Sequence, residues 1–351
     1  MDLLQNTISR ISPLNQEAIS AVRSREDTLT KPPGSLGVLE NIAAQLGGIT
    51  GKLFPEIGKK AVVVMAADHG VVAEGVSAFP QEVTVQMVAN FCNGGAAINV
   101  LARHAGAEVV VVDVGVAAPL DFPQVMAKKV RLGTANMAQG PAMTREEAIQ
   151  ALEVGIAVAE ELIADGYQLL ATGEMGIGNT TASSAIIAAF TRQAAIAVTG
   201  RGTGLAETAV LHKAAVIDRA LAVNRPDPDD PLDVLAKVGG LEIAGLAGLI
   251  LGAAAGRTPV VIDGFISSAT ALVAARLAPQ ALDYMIASHC SAEQAHRRLL
   301  ESLGLKPVLE LEMRLGEGTG AVLAFGVIEA ALKTLKEMAT FDSAGVAKGE
   351  A

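Results

Sequence analysis

Residues 167–190, YQLLATGEMGIGNTTASSAIIAAF, constrain the fold more than any other part of the chain. An apolar stretch typical of a buried strand leads through Gly173, Gly176 and Gly178 into an Ala- and Ile-rich stretch with helical spacing. Glycines at such a turn let the backbone approach a ligand, and the free N–H groups of the following helix attract an anion. The segment therefore predicts a strand–turn–helix unit that either binds phosphate or only permits close packing.

The composition indicates an α/β fold. Of the 351 residues, 51% are hydrophobic, 18% are charged and 36 are glycines, which suits buried parallel strands covered by Ala-rich helices. Strand-like and helical segments alternate, which predicts right-handed crossovers and ligand binding beyond the carboxyl ends of the strands. The predicted strands lie near Ala61, Glu108, Gln168, Ala195 and Pro259.

The two ends of the chain are expected to form a separate helical unit. Helical spacing of apolar residues over Leu4–Val22 and a second helix from Val38 precede the first strand, and another helix covers about Val322–Met338. We therefore predict two domains. These are a small helical domain made of residues 1–58 and 321–351, and a large α/β catalytic domain made of residues 59–320.

Charge and hydropathy exclude several classes of protein. The formal net charge is −10 and Lys and Arg do not cluster, which argues against a nucleic-acid surface. The longest apolar runs, near Ile243–Gly256 and Ala321–Leu332, are shorter than the roughly 18 to 20 residues of a membrane span. The start MDLLQNTISR has no secretory pattern, and Cys92 and Cys290 lack CxxC spacing. We expect a cytoplasmic protein that binds neither nucleic acid nor membrane.

Common cofactor motifs are missing. A dinucleotide fingerprint fails because Thr181 stands where a third glycine or alanine should follow Gly176 and Gly178, and no GxxxxGK[ST] is present. His289 and His296 lie seven residues apart, but no third ligand at recognisable spacing joins them. We predict neither a metal nor a cofactor.

Several polar residues are candidates for binding an anion. Asn179 and Thr180 stand at the start of a predicted helix, where they can cap it or contact a ligand. Ser291 precedes Gln294 by three residues, a capping-box pattern, so it is either a simple N-cap or part of a second anion site. Lys213 would supply a cation unless it is a solvated lysine on a helix surface.

Two glutamates are candidates for chemistry. Glu174 lies inside the glycine-rich turn, where a carboxylate would repel phosphate unless it points elsewhere. Glu317 lies between two glycines in EMRLGEGTG, so it is either a reactive acid or an incidental acid in a surface turn. A pair of carboxylates would also suit a glycosidase, but the sequence does not give their separation.

Seven motifs in order carry a family resemblance: KPPGSLG, ADHGV, GEMGIGNTT, DVLAKVGG, DGF, SHCSAE and EMRLGEGTGA. The chain resembles the nicotinate-nucleotide:dimethylbenzimidazole phosphoribosyltransferases, which prepare the lower ligand of cobalamin, over nearly its whole length. The resemblance implies a Rossmann-like parallel sheet flanked by helices, a small helical domain and a homodimer. It also implies transfer of phosphoribose from nicotinate mononucleotide to 5,6-dimethylbenzimidazole, giving α-ribazole 5′-phosphate and nicotinate.

The resemblance also implies roles for particular residues. Glu317 would be the general base, with Glu174 as a second catalytic residue close by. The phosphoribosyl group would be surrounded by Gly176, Gly178, Asn179, Thr180, Gly202, Lys213, Asp263, Gly264 and Ser291. The aromatic base would contact Phe79, Gln86, Met87, Met175 and Leu315.

One departure from the family pattern concerns the acceptor. Where the pattern has a small hydroxyl residue before a proline and a glutamine one turn later, this chain has Phe79 and Met87. The acceptor pocket is therefore predicted to be more apolar, with Gln86 as a substitute if the local register shifts. Two alternatives stay open: a nicotinate mononucleotide ribosyl hydrolase, and a nucleotide-binding protein without turnover.

Overall fold

The computed structural model describes residues 3–200, 207–293 and 295–347, and these contain one parallel sheet of six strands. The strands are β1 (Lys59–Ala67), β2 (Glu108–Gly115), β3 (Val125–Ala127), β4 (Tyr167–Met175), β5 (Val260–Ile262) and β6 (Met285–Ala287). Their spatial order is β3-β2-β1-β4-β5-β6, the order of Rossmann-type sheets. The predicted fold class is confirmed.

Fifteen α-helices surround this sheet within the described ranges. They are α1 (Leu3–Arg10), α2 (Gln16–Thr28), α3 (Val38–Thr50), α4 (Glu82–Cys92), α5 (Ala97–Ala105), α6 (Arg145–Ala164), α7 (Asn179–Thr191), α8 (Ala195–Val198), α9 (Glu207–Asn224), α10 (Pro231–Val238), α11 (Leu241–Ala255), α12 (Phe265–Leu277), α13 (His296–Ser302), α14 (Thr319–Glu337) and α15 (Phe341–Ala344). Two short 3-10 helices span Gly70–Glu74 and Pro279–Tyr284. No helix among the described residues is long and apolar enough to cross a membrane.

Both faces of the sheet are covered. Side chains alternate between faces along a strand, so Val62 and Met65 of β1 point in opposite directions. Met65 packs against α11, since a Cβ added at Gly245 would lie 2.5 Å from the Met65 sulfur. On the other face, Val62 packs against the segment that leads into α14. Burial on both sides accounts for the continuous apolar run of β1.

The structure corrects two predictions of local structure and adds two short strands. The strand predicted near Ala195 is helix α8, and the strands β3 and β6 were not predicted. These elements are three or four residues long, too short for periodicity to separate strand from helix. The predicted helix over Leu4–Val22 is two helices, α1 and α2, with residues 11–15 between them, whereas the helix predicted to begin at Val38 is confirmed.

The two ends of the chain meet. Leu29 and Thr340 form an antiparallel bridge, and Val22, Ala43 and Leu335 share a small apolar core between α2, α3 and α14. Helix α14 also packs on α5, β4 and β5 of the sheet unit. The division of the chain into two domains stays a prediction.

Helices α6 and α11 approach each other closely through glycines. A Cβ at Gly155 of α6 would overlap the carbonyl oxygen of Gly245 and lie 2.6 Å from the backbone nitrogen of Leu249. A Cβ at Gly248 of α11 would overlap the carbonyl oxygen of Leu152. The two backbones therefore touch directly, and no side chain fits between them.

The substitution Gly155→Ala is expected to destabilise the protein by about 1–3 kcal/mol, because the added methyl group must push α6 and α11 apart. This loss would exceed the roughly 1 kcal/mol that alanine gains over glycine inside a helix. The matched control is Gly326→Ala, at an exposed helical position with open space around a Cβ, and it should stabilise by about 0.5–1 kcal/mol. Urea unfolding of both variants measures the difference. Equal stabilisation by the two alanines would contradict the packing argument.

Candidate active site

A cavity of about 420 Å³ opens beyond the carboxyl ends of β4, β5 and β6. Parallel sheets of this order bind ligands at that edge because the strand ends and the following helix starts converge there. Twelve of the predicted site residues line it: Phe79, Met87, Glu174, Met175, Gly176, Asn179, Thr180, Asp263, Gly264, Ser291, Leu315 and Glu317. Gln86, Gly178 and Lys213 do not line it, and Gly202 lies outside the described residues.

The predicted base, Glu317, sits in a tightly folded segment. Gly316, Glu317 and Gly318 have φ angles of +88°, +63° and +91°, and positive φ at a residue other than glycine is uncommon and strained. The segment lies directly on β4, where a Cβ at Gly173 would stand 2.5 Å from the Glu317 carbonyl oxygen. Glu317 is only 6% exposed, so the interpretation as a surface turn is wrong.

Hydrogen bonds hold both glutamates in place. The backbone N–H of Glu317 donates to Oε1 of Glu174 at 3.2 Å, and the Asn179 side-chain amide donates to Oε2 of Glu174. Oε2 of Glu317 accepts from the backbone N–H of Ile98, in the first turn of α5, at 3.4 Å. Glu174 therefore supports the segment that carries Glu317, and it does not repel a ligand from the turn.

The surroundings give the two glutamates different protonation behaviour. Burial, followed by the charge of Asp263, raises the pKa of Glu174 to about 8. Burial raises the pKa of Glu317, the Ile98 N–H lowers it, and Asp263 raises it again, with a net increase. Glu174 is therefore mainly protonated at neutral pH, and Glu317 becomes a stronger base than an exposed carboxylate.

Asp263, which follows β5, caps a helix from another part of the chain. Its Oδ1 accepts from the backbone N–H groups of Gly320 at 2.8 Å and Ala321 at 3.0 Å, at the start of α14. Its Oδ2 accepts from the N–H of Gly318 at 3.2 Å, and His289 Nε2 lies 3.6 Å from Oδ1. The end of β5 thereby fixes the backbone that follows Glu317.

The glycine-rich turn ends at the first residue of α7. Gly178 caps this helix with a φ of +95°, and Asn179 and Thr180 form its start at the cavity. Lys213 of α9 donates from Nζ to Thr180 Oγ1 at 2.6 Å and is only 1% exposed, so the interpretation as a solvated lysine is wrong. Burial lowers the pKa of Lys213 to about 8, against an opposing effect of Glu293. Thr180 thus lines the cavity at the start of α7, and the buried Lys213 ammonium stands behind it.

Ser291 lines the cavity but does not cap a helix. Its partner in the predicted capping box, Gln294, lies outside the described residues, and α13 begins at His296. The backbone N–H of Ser291 donates to His296 Nδ1 at 2.7 Å, and His296 Nε2 lies 2.8 Å from Ser268 Oγ. Burial lowers the pKa of His296 to about 4, so the ring is neutral and donates from Nε2. With both nitrogens engaged, His296 positions Ser291.

Another part of the cavity wall is apolar. Phe79, Val83 and Met87 come from α4 and the segment before it, and Met175 and Leu315 complete the wall. Phe79 is 49% exposed and Leu315 is 57% exposed, which places them at the mouth. Gln86 is exposed and lies outside this wall, so the register shift that would bring it in is absent.

Several residues near the site were not predicted. Three charged or titratable side chains also line the cavity: His289, Glu293 and Arg314.

Beneath the glycine-rich turn, His69 Nε2 pairs with Glu242 Oε1 at 2.7 Å, and both residues are buried. Burial lowers the pKa of His69, but Glu242 raises it more, so the net change is an increase. The motif ADHG pointed to His69, whereas nothing in the sequence pointed to Glu242.

No group of three or more His, Cys, Asp or Glu side chains that could hold a metal ion occurs in the part of the chain that the structure describes. His289 and His296 are neighbours, with ring centroids 6.2 Å apart. Because His296 already uses both ring nitrogens, this pair offers no metal site. The ionisable side chains that line the cavity are Glu174, Asp263, His289, Glu293, Arg314 and Glu317.

Comparisons with known proteins agree with this geometry. A phosphoribosyltransferase family profile matches residues 11–346. Proteins named nicotinate-nucleotide–dimethylbenzimidazole phosphoribosyltransferase from Chloroflexus aggregans and Geobacter metallireducens are 60% and 59% identical, over 99% of both chains in each case. The crystal structure of the protein of that name from Thermus thermophilus is 51% identical with a TM-score of 0.91, covering 96% of this chain and 100% of its own. The chain belongs to the phosphoribosyltransferase family whose members carry that name.

Proposed function

We propose that the protein transfers the phosphoribosyl group of nicotinate mononucleotide to 5,6-dimethylbenzimidazole, for assembly of the cobalamin nucleotide loop. The observation that carries this proposal is the buried Glu317 carboxylate in a cavity lined both by the start of α7 and by apolar side chains. The helix start suits the phosphate of a nucleotide, and the apolar side chains suit an aromatic acceptor. The names of the relatives support the same reaction.

The phosphate of the donor would occupy the end of the cavity at the start of α7. The start of a helix carries a partial positive charge that attracts anions, and Lys213, which lies behind the cavity wall, adds a positive charge through its hydrogen bond to Thr180. Gly176, Gly264 and Ser291 line the same region. Anchoring the phosphate there would hold C1′ of the ribose in line with the acceptor, which removes much of the entropic barrier.

The chemical step requires one base. The bond between C1′ and the nicotinate nitrogen breaks, and the electron pair returns to that nitrogen, so nicotinate leaves without protonation. A benzimidazole nitrogen forms the new bond to C1′ from the opposite face, which converts the β-linkage to an α-linkage. The proton on the other benzimidazole nitrogen passes to the Glu317 carboxylate. General-base catalysis of this kind contributes about 10² to 10⁴ in rate.

The acceptor would bind against the apolar wall. Phe79, Met87 and Leu315 give the cavity an apolar lining, which suits a methyl-substituted benzimidazole. Phe79 and Leu315 are large and half exposed, so a bound aromatic ring would cover apolar surface that water now contacts. This wall favours an apolar acceptor over a purine with exocyclic polar groups.

We also propose that the protein is a cytoplasmic homodimer. Both cysteines, Cys92 and Cys290, are free, which suits a reducing compartment. Exposed apolar side chains outside the cavity, such as Val100 and Leu211, offer surface that a second copy can bury. Light scattering coupled to gel filtration measures the assembly, and a monomer at micromolar concentration would remove this part of the proposal.

The reaction itself is tested by incubating the protein with nicotinate mononucleotide, with and without dimethylbenzimidazole, and identifying products by mass spectrometry. The expected products are α-ribazole 5′-phosphate and nicotinate in equal amounts, formed only when the acceptor is present. Ribose 5-phosphate released without acceptor would instead assign a hydrolase. Binding without any product would assign a nucleotide-binding protein.

The variant Glu317→Gln is expected to lower kcat by about 10² to 10⁴, because glutamine cannot accept the acceptor proton. Its affinity for nicotinate mononucleotide should stay close to that of the unchanged protein, since Glu317 contacts the acceptor. Initial rates and isothermal titration calorimetry measure the two quantities. The matched control is Glu312→Gln, an exposed glutamate of the same segment that does not line the cavity. A kcat of Glu317→Gln equal to that of the control would remove Glu317 from the mechanism.

The variant Lys213→Met is expected to weaken binding of nicotinate mononucleotide about 10- to 100-fold, the range for losing a hydrogen bond to a charged group. Because burial lowers the pKa of Lys213 to about 8, the unchanged protein should also bind more weakly as the pH rises from 7 to 9. The side chain loses its charge over that range, so the phosphate loses its cation. Calorimetry at several pH values measures both effects.

The same titration supplies the control for Lys213. Lys306→Met removes an exposed lysine that does not line the cavity, and it should keep both the affinity and its pH dependence. The Lys213→Met variant should lose the decrease above pH 8. If the variant keeps that decrease, another group causes it and Lys213 is not the phosphate cation.

A further inference from the structure

Asp263 lies in the cavity wall, yet its carboxylate is already engaged by the protein. The side chain is 1% exposed, and its two oxygens accept three backbone hydrogen bonds, from Gly318, Gly320 and Ala321. A carboxylate has about four acceptor positions, and His289 Nε2 stands 3.6 Å from one of the two oxygens. Little acceptor capacity is left for a substrate hydroxyl.

The three donors follow Glu317 directly in the sequence. They belong to the last residue before α14 and to the first turn of that helix, whose N–H groups have no partners inside the helix. Glu317 has a strained backbone with a φ of +63°, which persists only where the surrounding structure holds it. Asp263 supplies such a constraint on one side of Glu317, and Glu174 supplies one on the other through the Glu317 N–H.

The contact between Asp263 and α14 is closely packed. A Cβ at Gly320 would overlap the ring of His289, and a Cβ at Gly264 would lie 3.3 Å from Nε2 of the same ring. The start of α14 is therefore closely packed against Asp263 and His289. A small displacement of this start would carry the Glu317 carboxylate with it.

Asp263 also acts on Glu317 through its charge. The charged or titratable side chains that line the cavity with Glu317 are Glu174, Asp263, His289, Glu293 and Arg314. The charge of Asp263 contributes to the raised pKa of Glu317 and to that of Glu174. Replacing Asp263 by a neutral residue therefore makes the anionic form of Glu317 easier to reach.

We propose that Asp263 is a positioning residue that acts on the reaction through Glu317, by fixing the start of α14 and by its charge, without itself contacting the substrate. This inference rests on the proposed function, because it assigns Asp263 a part in the proton transfer to Glu317. It differs from the role suggested by family resemblance, in which Asp263 binds the phosphoribosyl group.

The test is Asp263→Asn, assayed with nicotinate mononucleotide and dimethylbenzimidazole between pH 5 and 9. Asparagine has the same shape but only one acceptor oxygen, so the start of α14 loses part of its anchor. We expect kcat to fall about 10²-fold, the cost of misplacing a catalytic group by roughly 1 Å. The affinity for nicotinate mononucleotide should stay within about threefold, as for a group that does not contact the donor.

The pH profile separates this role from a purely structural one. Loss of the Asp263 charge lowers the pKa of Glu317, so the acidic limb of kcat should move to lower pH. The variant Gly320→Ala should lower kcat without moving that limb, because it displaces the helix start and leaves the charge in place.

Asp68→Asn is the matched control, since Asp68 is another buried carboxylate after a strand that accepts a backbone N–H but does not line the cavity. It should leave the limb unchanged.

The possible results distinguish the two proposals. If the unchanged protein forms no product, the proposed function fails before Asp263 is tested. If it forms product and Asp263→Asn has an unchanged kcat, or binds nicotinate mononucleotide more than tenfold more weakly, the positioning role is overturned. Should Asp263→Asn not fold, a crystal structure of the unchanged protein with nicotinate mononucleotide decides. The inference is supported if both Asp263 oxygens still accept the hydrogen bonds from the N–H groups at the start of α14. It is overturned if an Asp263 oxygen instead accepts a hydrogen bond from a ribose hydroxyl.

Discussion

The direct contact between β4 and the backbone around Glu317 is the constraint on which the site depends. Gly173 is the position that allows it, because a Cβ there would stand 2.5 Å from the Glu317 carbonyl oxygen. Gly316 and Gly318 allow the chain to turn with positive φ on both sides of Glu317. The segment that lies on β4 keeps the Glu317 carboxylate buried, and this burial raises its pKa. Glycine at these positions therefore serves the chemistry as well as the fold.

Four carboxylates line the cavity, and the partners of three of them, Glu174, Asp263 and Glu317, give each a different role. Asp263 accepts three backbone N–H groups and so anchors the start of α14. Burial, followed by the charge of Asp263, raises the pKa of Glu174 to about 8, so Glu174 is mainly neutral at pH 7. Glu317 accepts one backbone hydrogen bond, from the N–H of Ile98, so its carboxylate can still accept further hydrogen bonds. Environments that separate the pKa values of neighbouring acids assign acid and base roles, and of these three carboxylates Glu317 is the one proposed as the base.

The sequence predicted the parts of the site that local patterns encode. The strand, glycine turn and helix around Gly176 could be predicted, because alternation of strands and helices places strand ends on one edge. What the pattern could not give was pairing over long distance: His69 and Glu242 are 173 residues apart and meet only after folding. The burial of Lys213 was equally hidden, since a lysine on a helix has the same local pattern whether it is exposed or buried. Short strands such as β6 carry too few residues for any period.

Glu317, the proposed base, comes from outside the strand ends, and its position therefore depends on the two ends of the chain. The ends of β4 and β5 supply Glu174 and Asp263, but Glu317 follows the last strand and is brought back to the sheet by α14. That helix packs on α3 from the start of the chain as well as on α5, β4 and β5. The buried ion pair of Lys31 with Glu40, at 2.9 Å, fixes the entry to α3. The terminal helices therefore hold the helix whose first turn fixes the position of Glu317, so under the proposed function their packing contributes to the reaction as well as to stability.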